Sequence, residues 1–227
     1  MKHLDLRKEL KPLYRGSARK VEWITVPKHK YLMIDGELKS KQTPASSPQF
    51  QEAIGALYGA AFTLKFMSKL RKRNPIDYPA MALEGLWWTS SGPFDLSKKR
   101  AWKWRLMILQ PPHITEAMLR SALQQLQLKQ SRPALARIKL RSFREGASIQ
   151  ILYVGPYDQE SRSVAQLEAF AKENGYRLTG KHHEIYLGDP RRARPDKLRT
   201  ILRHPVSAHT RSQPRALRDR LGDEGGA

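Results

Sequence analysis

The sequence predicts an α+β protein made of two tandem βαββ repeats that are related by a pseudo-twofold axis and enclose a central ligand cleft. Three observations lead to this prediction. Strand and helix patterns follow the order strand, helix, strand, strand in each half of the chain. The segments 103–111 and 197–205 match, since KWR and KLR are each followed by an apolar strand that ends in proline at the same spacing. The 227 residues, 40% of them hydrophobic, are enough to bury a sizeable core.

The first repeat is expected over residues 21–111, after a charged lead at residues 1–20. The segment 21–37 is rich in β-branched and aromatic residues, and Pro27 interrupts it, so we expect two strand segments there. After a polar loop, apolar residues recur at helical spacing over residues 48–70. This half therefore begins as a strand pair followed by a long helix.

Aromatic residues of the first repeat are the first candidates for a ligand site. The long helix carries an aromatic stripe, which is expected to pack mainly on a sheet and in part to line a cleft. A hairpin is predicted from strands 83–89 and 102–110, and it contains four of the five tryptophans. Neighbouring residues on a strand point to opposite faces, so one of Trp87 and Trp88 can be core while the other faces a ligand or solvent. The candidate ligand-binding aromatics are Tyr58, Phe62, Trp87, Trp88 and Trp104.

The second repeat is expected over residues 136–206, after a connector helix at residues 115–128. Residues 138–153 predict a strand with a turn in the middle. A helix is predicted over residues 159–174, with Asp158 as its N-terminal cap. The strand and helix repeat the order of the first half.

Two strands are expected to close the second repeat, at residues 180–187 and 197–204. A short helix from Asp196 is an alternative for the start of the second of them. The remaining residues, 207–227, are rich in Arg, Gly, Ser and Pro, which predicts a disordered basic tail.

One acid stands out on the first of these two strands. Alternation places His182, Glu184 and Tyr186 on one face of the strand. A carboxylate between an imidazole and a phenol suits a concave site that binds a cation, orients a polar ligand or activates water. The alternative is a solvated strand face with an exposed acid. The match between the halves puts Trp87 at the position that corresponds to Glu184, so we expect an aromatic wall opposite the acid.

Four segments of the chain carry a family resemblance: SPQFQEAIGALYGAAFTLKF, LEGLWW, ILYVGPYDQE and HHEIYLGDPRRARPDKLRTILRHPV. In combination they resemble the GyrI-like small-molecule-binding proteins, also called DNA gyrase inhibitor-like or SOUL-related effector-binding domains. The resemblance is to the stand-alone bacterial branch and covers residues 20–206. It implies the fold of two βαββ units. In related sensors a glutamate of the second repeat binds cationic aromatic ligands, and the resemblance implies this role for Glu184.

The resemblance also implies an activity. Stand-alone relatives hydrolyse the cyclopropane ring of spirocyclopropyl-dienone genotoxins, the DNA alkylators of the duocarmycin and yatakemycin type. A cyclopropanoid cyclopropyl hydrolase that acts in detoxification is therefore implied, with Glu184 as general base, Tyr186 or Tyr153 as the donor that orients water or carbonyl, and His182 beside the ligand. Two alternatives stay open: a non-catalytic binder or sensor of hydrophobic or cationic drugs, and a gyrase-inhibiting interaction module.

Composition limits partners and location. The formal charge of +21 predicts attraction to polyanions, hence weak, nonspecific nucleic-acid contact through the basic surface. The lack of cysteine excludes disulfides and a thiol nucleophile and fits the cytoplasm. No signal sequence or apolar stretch of about 18 residues occurs, so no membrane partner is expected.

Histidines lack partners at ligand spacing and no phosphate-binding loop occurs, so neither metal nor cofactor is expected. The oligomeric state does not follow from the sequence.

Overall fold

The computed structural model describes residues 1–39, 41–89, 102–129 and 132–208. Its strands are β1 (Lys2–His3), β2 (Glu22–Val26), β3 (His29–Glu37), β4 (Ile76–Asp77), β5 (Leu83–Thr89), β6 (Trp102–Gln110), β7 (Lys139–Phe143), β8 (Gly146–Val154), β9 (Tyr176–Leu178), β10 (His182–Tyr186) and β11 (Arg199–Ala208). Its α-helices are α1 (Leu6–Glu9), α2 (Pro48–Leu70), α3 (Glu116–Lys129) and α4 (Ser161–Glu173). The predicted loop between β5 and β6, and the predicted tail from residue 209 onwards, lie outside the described residues.

A single large sheet organises these elements. Nine strands form it, in the order β2-β8-β11-β10-β5-β6-β3-β7, with β9 paired to β11. The order is symmetric about the β10–β5 pair, since β11, β8 and β2 on one side correspond to β6, β3 and β7 on the other. This confirms the predicted α+β fold, and its strand order has the twofold symmetry expected of two repeats.

The first, short strand of each repeat crosses to the other repeat. β2 pairs with β8, and β7 pairs with β3. The pairing continues from one strand pair to the other without a shift: Val26 lies opposite Gly146 and, three residues further along, His29 lies opposite Phe143. Two residues separate β2 from β3, and two separate β7 from β8. The two ends of the strand order therefore pair with each other, and the sheet closes into a barrel-like ring. Pro27 lies at the bend between β2 and β3, where its lack of an N–H group does not remove a hydrogen bond from either strand pair.

Helices α2 and α4 cover the outer face of this closed sheet. α2 contacts β3 and β6, whereas α4 contacts β8 and β11. Leu57 and Leu64 of α2 and Leu167 of α4 are fully buried, and such side chains each stabilise the fold by about 1.5–3 kcal/mol. The outer surfaces of β5 and β10 lie between the strands that the two helices cover, and we call this region, where the sequence predicts a ligand site, the cleft.

The start of α2 agrees with the prediction from the sequence, whereas the start of α4 differs from it. Ser47 caps α2, because its side chain accepts a hydrogen bond from the Phe50 amide, and Pro48 occupies the first turn. The predicted cap Asp158 lies instead in a 3-10 turn before α4, and Glu160 is the residue at the N-cap position. The extra turn moves the start of the helix by two residues. Among the described residues, no helix is both long enough and apolar enough to cross a membrane.

The inner face of the ring contains a second set of buried charges. The Tyr14 hydroxyl donates to Glu84 Oε1 over 2.6 Å, and Glu84 Oε2 lies 3.1 Å from His183 Nε2. His183 Nδ1 lies 3.0 Å from Glu145 Oε1, and Arg203 lies 3.4 Å from the other oxygen of that carboxylate. Burial lowers the pKa of His183, but Glu145 and Glu84 outweigh this and raise it. When His183 is protonated, His183 and Arg203 supply two positive charges beside the two acids, Glu84 and Glu145.

This inner network holds the N-terminal residues against the ring. Arg203 donates to the Leu13 carbonyl over 2.6 Å and to Gln150 Oε1 over 2.9 Å. The Gln150 amide in turn donates to the carbonyls of Pro12 and Arg15. Buried donors and acceptors are thus paired across more than a hundred residues of sequence. The charged lead at residues 1–20 is therefore packed on the sheet.

Candidate functional site

The cleft floor consists of outward-facing residues of β10 and β5. Glu184 lies opposite Gly85, and Tyr186 lies opposite Leu83. A Cβ added at Gly85 would lie 3.0 Å from the Tyr186 hydroxyl and 3.0 Å from Trp87 Nε1. A contact of 3.0 Å is closer than most Cβ contacts in proteins, so an alanine here would push the phenol or the indole aside by a few tenths of an ångström, and the absence of a side chain at Gly85 leaves room for both. Strand alternation puts Glu184 and Tyr186 on the same face of β10, and Gly85 on the neighbouring strand leaves space beside them.

Two buried carboxyl groups share one imidazole at this floor. His182 Nε2 lies 3.3 Å from Glu184 Oε1 and 3.6 Å from Glu160 Oε1. His182 and Glu160 are 0% and 1% exposed, while Glu184 is 6% exposed. Glu160 reaches the floor from the N-terminal end of α4, where backbone N–H groups favour a nearby carboxylate. Glu184 is thus the member of the trio with access to the cleft.

The protonation states follow from burial and mutual charge. Burial raises the pKa of Glu160, and the Glu184 carboxylate beside it raises it further, to about 8. Burial lowers the pKa of His182, but the interactions of its imidazole with the Glu160 and Glu184 carboxyl groups outweigh this effect and raise the pKa to about 9. At neutral pH Glu160 therefore holds its proton and His182 is an imidazolium. The positive charge of this buried imidazolium lies 3.3 Å from the carboxyl group of Glu184.

His204 supports the imidazolium from behind. Its Nε2 lies 2.8 Å from His182 Nδ1. Burial, followed by the positive charge of His182, lowers the pKa of His204 to about 3. His204 is therefore neutral, and its Nε2 atom accepts the hydrogen bond that His182 Nδ1–H donates. This bond fixes the orientation of the His182 ring.

Three tyrosines lie around the trio and differ in what their hydroxyl groups bind. Tyr186 accepts a hydrogen bond from Trp87 Nε1 over 3.2 Å, and burial, followed by the charge of Glu184, raises its pKa well above the ordinary value. The Tyr153 hydroxyl donates to the Pro156 carbonyl over 2.8 Å. Tyr157 packs edge-on against Tyr186 with ring centroids 5.5 Å apart, and burial raises its pKa to about 12. Tyr157 is the member of this group whose hydroxyl is uncommitted among the described residues.

Only part of the predicted aromatic wall lies at the cleft. Tyr58 and Phe62 of α2 stack on each other, with centroids 6.3 Å apart, and Phe62 is 45% exposed. Trp87 is buried against Phe50 and reaches the site through its Nε1 atom. Trp104 is completely buried beneath α2. Of the predicted wall, Trp87 therefore reaches the site through the edge of its indole, and Tyr58 lies close enough to Tyr157 to influence its pKa, while Phe62 is placed only by its stacking on Tyr58.

Trp88 lies on the other side of the sheet. It projects from the inner face of β5, where Lys181 Nζ lies 3.3 Å from the ring centroid. Strand alternation predicts that Trp87 and Trp88 point apart, but it does not say which of them faces the helices. The structure does not bring Trp88 to the cleft, and Trp104 contributes to the core alone.

The sequence analysis missed three residues of the site, Glu160, Tyr157 and His204. Glu160 and Tyr157 stand in the segment GPYDQE, whose polar residues were interpreted as a helix start. His204 alternates with Leu202 and Thr200 along β11 on the face that carries the site. A polar residue among buried neighbours on a predicted strand was the one available signal for His204.

The trio also has the spacing of a possible cation site. Ligand atoms of Glu160, His182 and Glu184 all lie within 4.8 Å of one another. A histidine must give up a proton to ligate a metal, and the neighbouring glutamates raise the pKa of His182 to about 9, so a metal ion at this site would compete with that proton. The expectation of no metal stays a prediction.

Fold and site together define a class: an α+β protein of two pseudo-symmetric repeats with an acidic, aromatic small-molecule cleft between its two long helices. The model of the GyrI-like small molecule binding domain matches residues 111–207. An uncharacterized conserved protein from Listeria innocua is 39% identical, with a TM-score of 0.80, and the match covers 90% of this chain and 100% of the other. The chain belongs to the GyrI-like small-molecule-binding family.

Two further solved structures, both of hydrolases from Listeria innocua, are similar to this chain. One is 36% identical with a TM-score of 0.76, and the match covers 90% of this chain. The other is 38% identical with a TM-score of 0.78, and the match covers 91% of this chain. Both matches cover 100% of the Listeria chain. No curated protein was found to match the sequence.

Proposed function

We propose that the cleft binds a flat hydrophobic molecule and hydrolyses its strained cyclopropane ring, with Glu184 as the general base. The observation that carries the proposal is the geometry of the trio, in which Glu184 is the least buried member and lies 3.3 Å from His182 Nε2. The raised pKa values of Glu160 and His182 agree with this arrangement. Similarity to the Listeria hydrolases supports a hydrolytic role. The activity would serve detoxification in the cytoplasm.

The proposed step adds one water molecule to the ring methylene of a spirocyclopropyl-dienone. The water oxygen bonds to the methylene carbon while Glu184 takes one proton from it. The cyclopropane C–C bond breaks, and its electron pair passes into the ring and onto the dienone oxygen, which becomes a phenolate. The phenolate then takes up a proton, so the net change is the addition of H2O.

The tyrosines have separate roles in this proposal. Tyr186 lies two residues from Glu184 on the same face of β10, and its hydroxyl accepts from Trp87 Nε1, so it forms part of the wall beside the base. Tyr157 is the better donor to the developing phenolate, since its hydroxyl is uncommitted and its raised pKa, about 12, keeps it protonated. Tyr153, the other donor that the sequence predicts, already donates to a backbone carbonyl. Tyr58 and Phe62 supply an aromatic surface at the edge of the cleft.

Binding without turnover is the second candidate. An acid beside aromatic rings attracts a flat cation through charge and cation–π contact, and this cleft has both groups. A drug binder or sensor would use Glu184 to hold the ligand and would leave it unchanged. The interaction with gyrase stays a separate prediction, and inhibition of supercoiling by the purified protein tests it.

The deciding experiment is mass-resolved chromatography of a spirocyclopropyl-dienone incubated with the full chain. We expect the wild type to accelerate formation of the water-added product and Glu184→Gln to reduce the rate at least to about one-hundredth, the usual contribution of a general base. Glu168→Gln is the matched control, because Glu168 is exposed on α4. An unchanged ligand that nevertheless binds would favour the binder, and undiminished turnover by Glu184→Gln would exclude this base.

A further inference from the structure

A second concave region lies away from the cleft. It has a volume of about 630 Å³ and lies between β3, β6, β7 and the turn that precedes β7. We call it the basic groove and define it by Asp35, Arg105, Arg137, Lys139 and Arg141. None of these residues belongs to the glutamate–histidine trio. Its volume falls within the range of small-molecule sites.

Two guanidinium groups of the basic groove are fixed in place. Arg105 donates to both oxygens of Asp35, over 2.6 and 2.8 Å, from the directly opposite position on the neighbouring strand. Arg137 donates to the Asp35 carbonyl over 3.1 Å. Because these contacts use part of each guanidinium and fix its direction, less rotamer freedom is lost when an anion binds the remaining N–H groups.

Two further cations come from β7. Lys139 and Arg141 lie two residues apart and therefore share a face of the strand, opposite Met33 and Tyr31 of β3. Both are exposed. Arg141 lies 3.5 Å from Glu116, but both side chains are more than half exposed, and such a pair contributes little. These two cations are therefore available to a ligand.

The charge balance of the groove is positive. The residues that line the groove include four cations and one acid, Asp35, and Glu116 approaches Arg141 from outside this lining. Hydrogen bonding to Arg105 lowers the pKa of Asp35, and the charges of Lys181 and Lys139 lower it further. The groove therefore favours an anionic ligand.

The groove also has apolar lining. Met33 is buried beneath it, and Phe143 is half-buried with its ring 6.3 Å from that of Tyr31. A ligand that fits therefore combines a flat apolar ring with a group carrying two negative charges. Arginine forks match phosphate oxygens in pairs.

We propose that the basic groove is a second binding site, specific for a phosphate ester that carries a flat ring. A free mononucleotide and a nucleic-acid chain share this chemistry. The phosphate meets Arg105, Arg137 and the two β7 cations, while the ring rests on Met33 and Phe143. The site is independent of the cleft and of the activity proposed there.

Calorimetric titration of the full chain with adenosine monophosphate and, separately, with a single-stranded DNA oligonucleotide tests this assignment. We expect at least one of them to bind, and Lys139→Glu combined with Arg141→Glu to weaken that binding about tenfold or more. Arg191→Glu with Arg192→Glu is the matched control, because both residues are exposed in the loop after β10. The milder double variant Lys139→Gln and Arg141→Gln is titrated as well, so that a weaker binding caused by misfolding of the glutamate variant can be recognised.

The two arms identify the source of the phosphate. Binding of the mononucleotide that is lost in the groove variants assigns a small-molecule site, and binding of DNA alone with the same loss assigns a nucleic-acid site. Equal weakening by the groove and control variants would overturn the proposal, because it would mean attraction by charge spread over the whole surface. Absence of binding to either probe would overturn it as well. Glu184→Gln should bind both probes like the wild type, which separates this test from that of the hydrolase.

Discussion

Nε2 of His182 lies 3.3 Å from Oε1 of Glu184, two positions further along the same strand. Such a pair is built by β-geometry alone, since residues i and i+2 share a face. Glu160 approaches the same imidazole from α4, at 3.6 Å. Because the pKa values of Glu160 and His182 are both raised, the trio holds two protons at neutral pH that the isolated side chains would mainly have lost, and the pH dependence of the protein should report them.

Replacing Glu160 by glutamine should remove one titration from the pH profile of the cleft. In the wild type, Glu160 loses its proton near a pKa of about 8, and the second carboxylate then competes with Glu184 for His182. We expect ligand binding or hydrolysis by the wild type to change in two steps, near pH 8 and near pH 9, and Glu160→Gln to keep a single step, that of His182. Two steps in the variant would mean that another group titrates.

Stability should fall as the pH rises above neutral. Glu160 and His182 have pKa values raised to about 8 and about 9, so the folded state binds more protons than the unfolded state. Their stabilising contributions are complete below the unfolded pKa values, 4.5 for Glu160 and 6.5 for His182, and are lost as the pH rises through the folded values of about 8 and about 9. We expect the free energy of unfolding in urea to decrease by about 3 kcal/mol or more between about pH 5 and 9. A constant urea midpoint over this range would contradict the assigned protonation states.

Gly85→Ala should damage the cleft more than the fold. Its Cβ would lie 3.0 Å from the Tyr186 hydroxyl and from Trp87 Nε1. The displaced phenol should weaken ligand binding and cost about 1–3 kcal/mol of stability. The control is Gly59→Ala on α2, where the nearest side-chain atom lies 3.7 Å away and alanine should be neutral or stabilising by about 0.5–1 kcal/mol. Calorimetric binding and urea unfolding measure both effects, and equal results for the two variants would exclude this role of Gly85.

Tyr14→Phe should loosen the N-terminal residues. The Tyr14 hydroxyl donates to Glu84 Oε1 over 2.6 Å in a buried environment. Its loss leaves a buried carboxylate oxygen without its donor, which should cost about 1–3 kcal/mol and should increase amide hydrogen exchange over residues 10–15. Tyr176→Phe is the control, since its hydroxyl makes no hydrogen bond to a described residue, and it should change stability by less than about 0.5 kcal/mol. Unchanged exchange in Tyr14→Phe would mean that packing alone holds this segment.

Local patterns predicted most of the elements. The helix over residues 48–70 and the strands 83–89 and 102–110 have the predicted bounds, because periodicity and flanking Ser, Pro and Gly act within a few residues. The break at Pro27 was likewise predicted. The exchange of β2 and β7 between the repeats was not, since pairing partners depend on how the ring closes and not on the strand itself.

The sequence by itself determined that His182, Glu184 and Tyr186 share a face and that Trp87 and Trp88 do not. Alternation fixes relative directions within a strand, whatever the fold. Only the tertiary structure decided which face is the cleft, and so placed Trp88 on the inner side. It also brought Glu160 to the imidazole of His182, because that contact depends on how α4 packs on the sheet, over a distance in sequence that no periodic pattern spans.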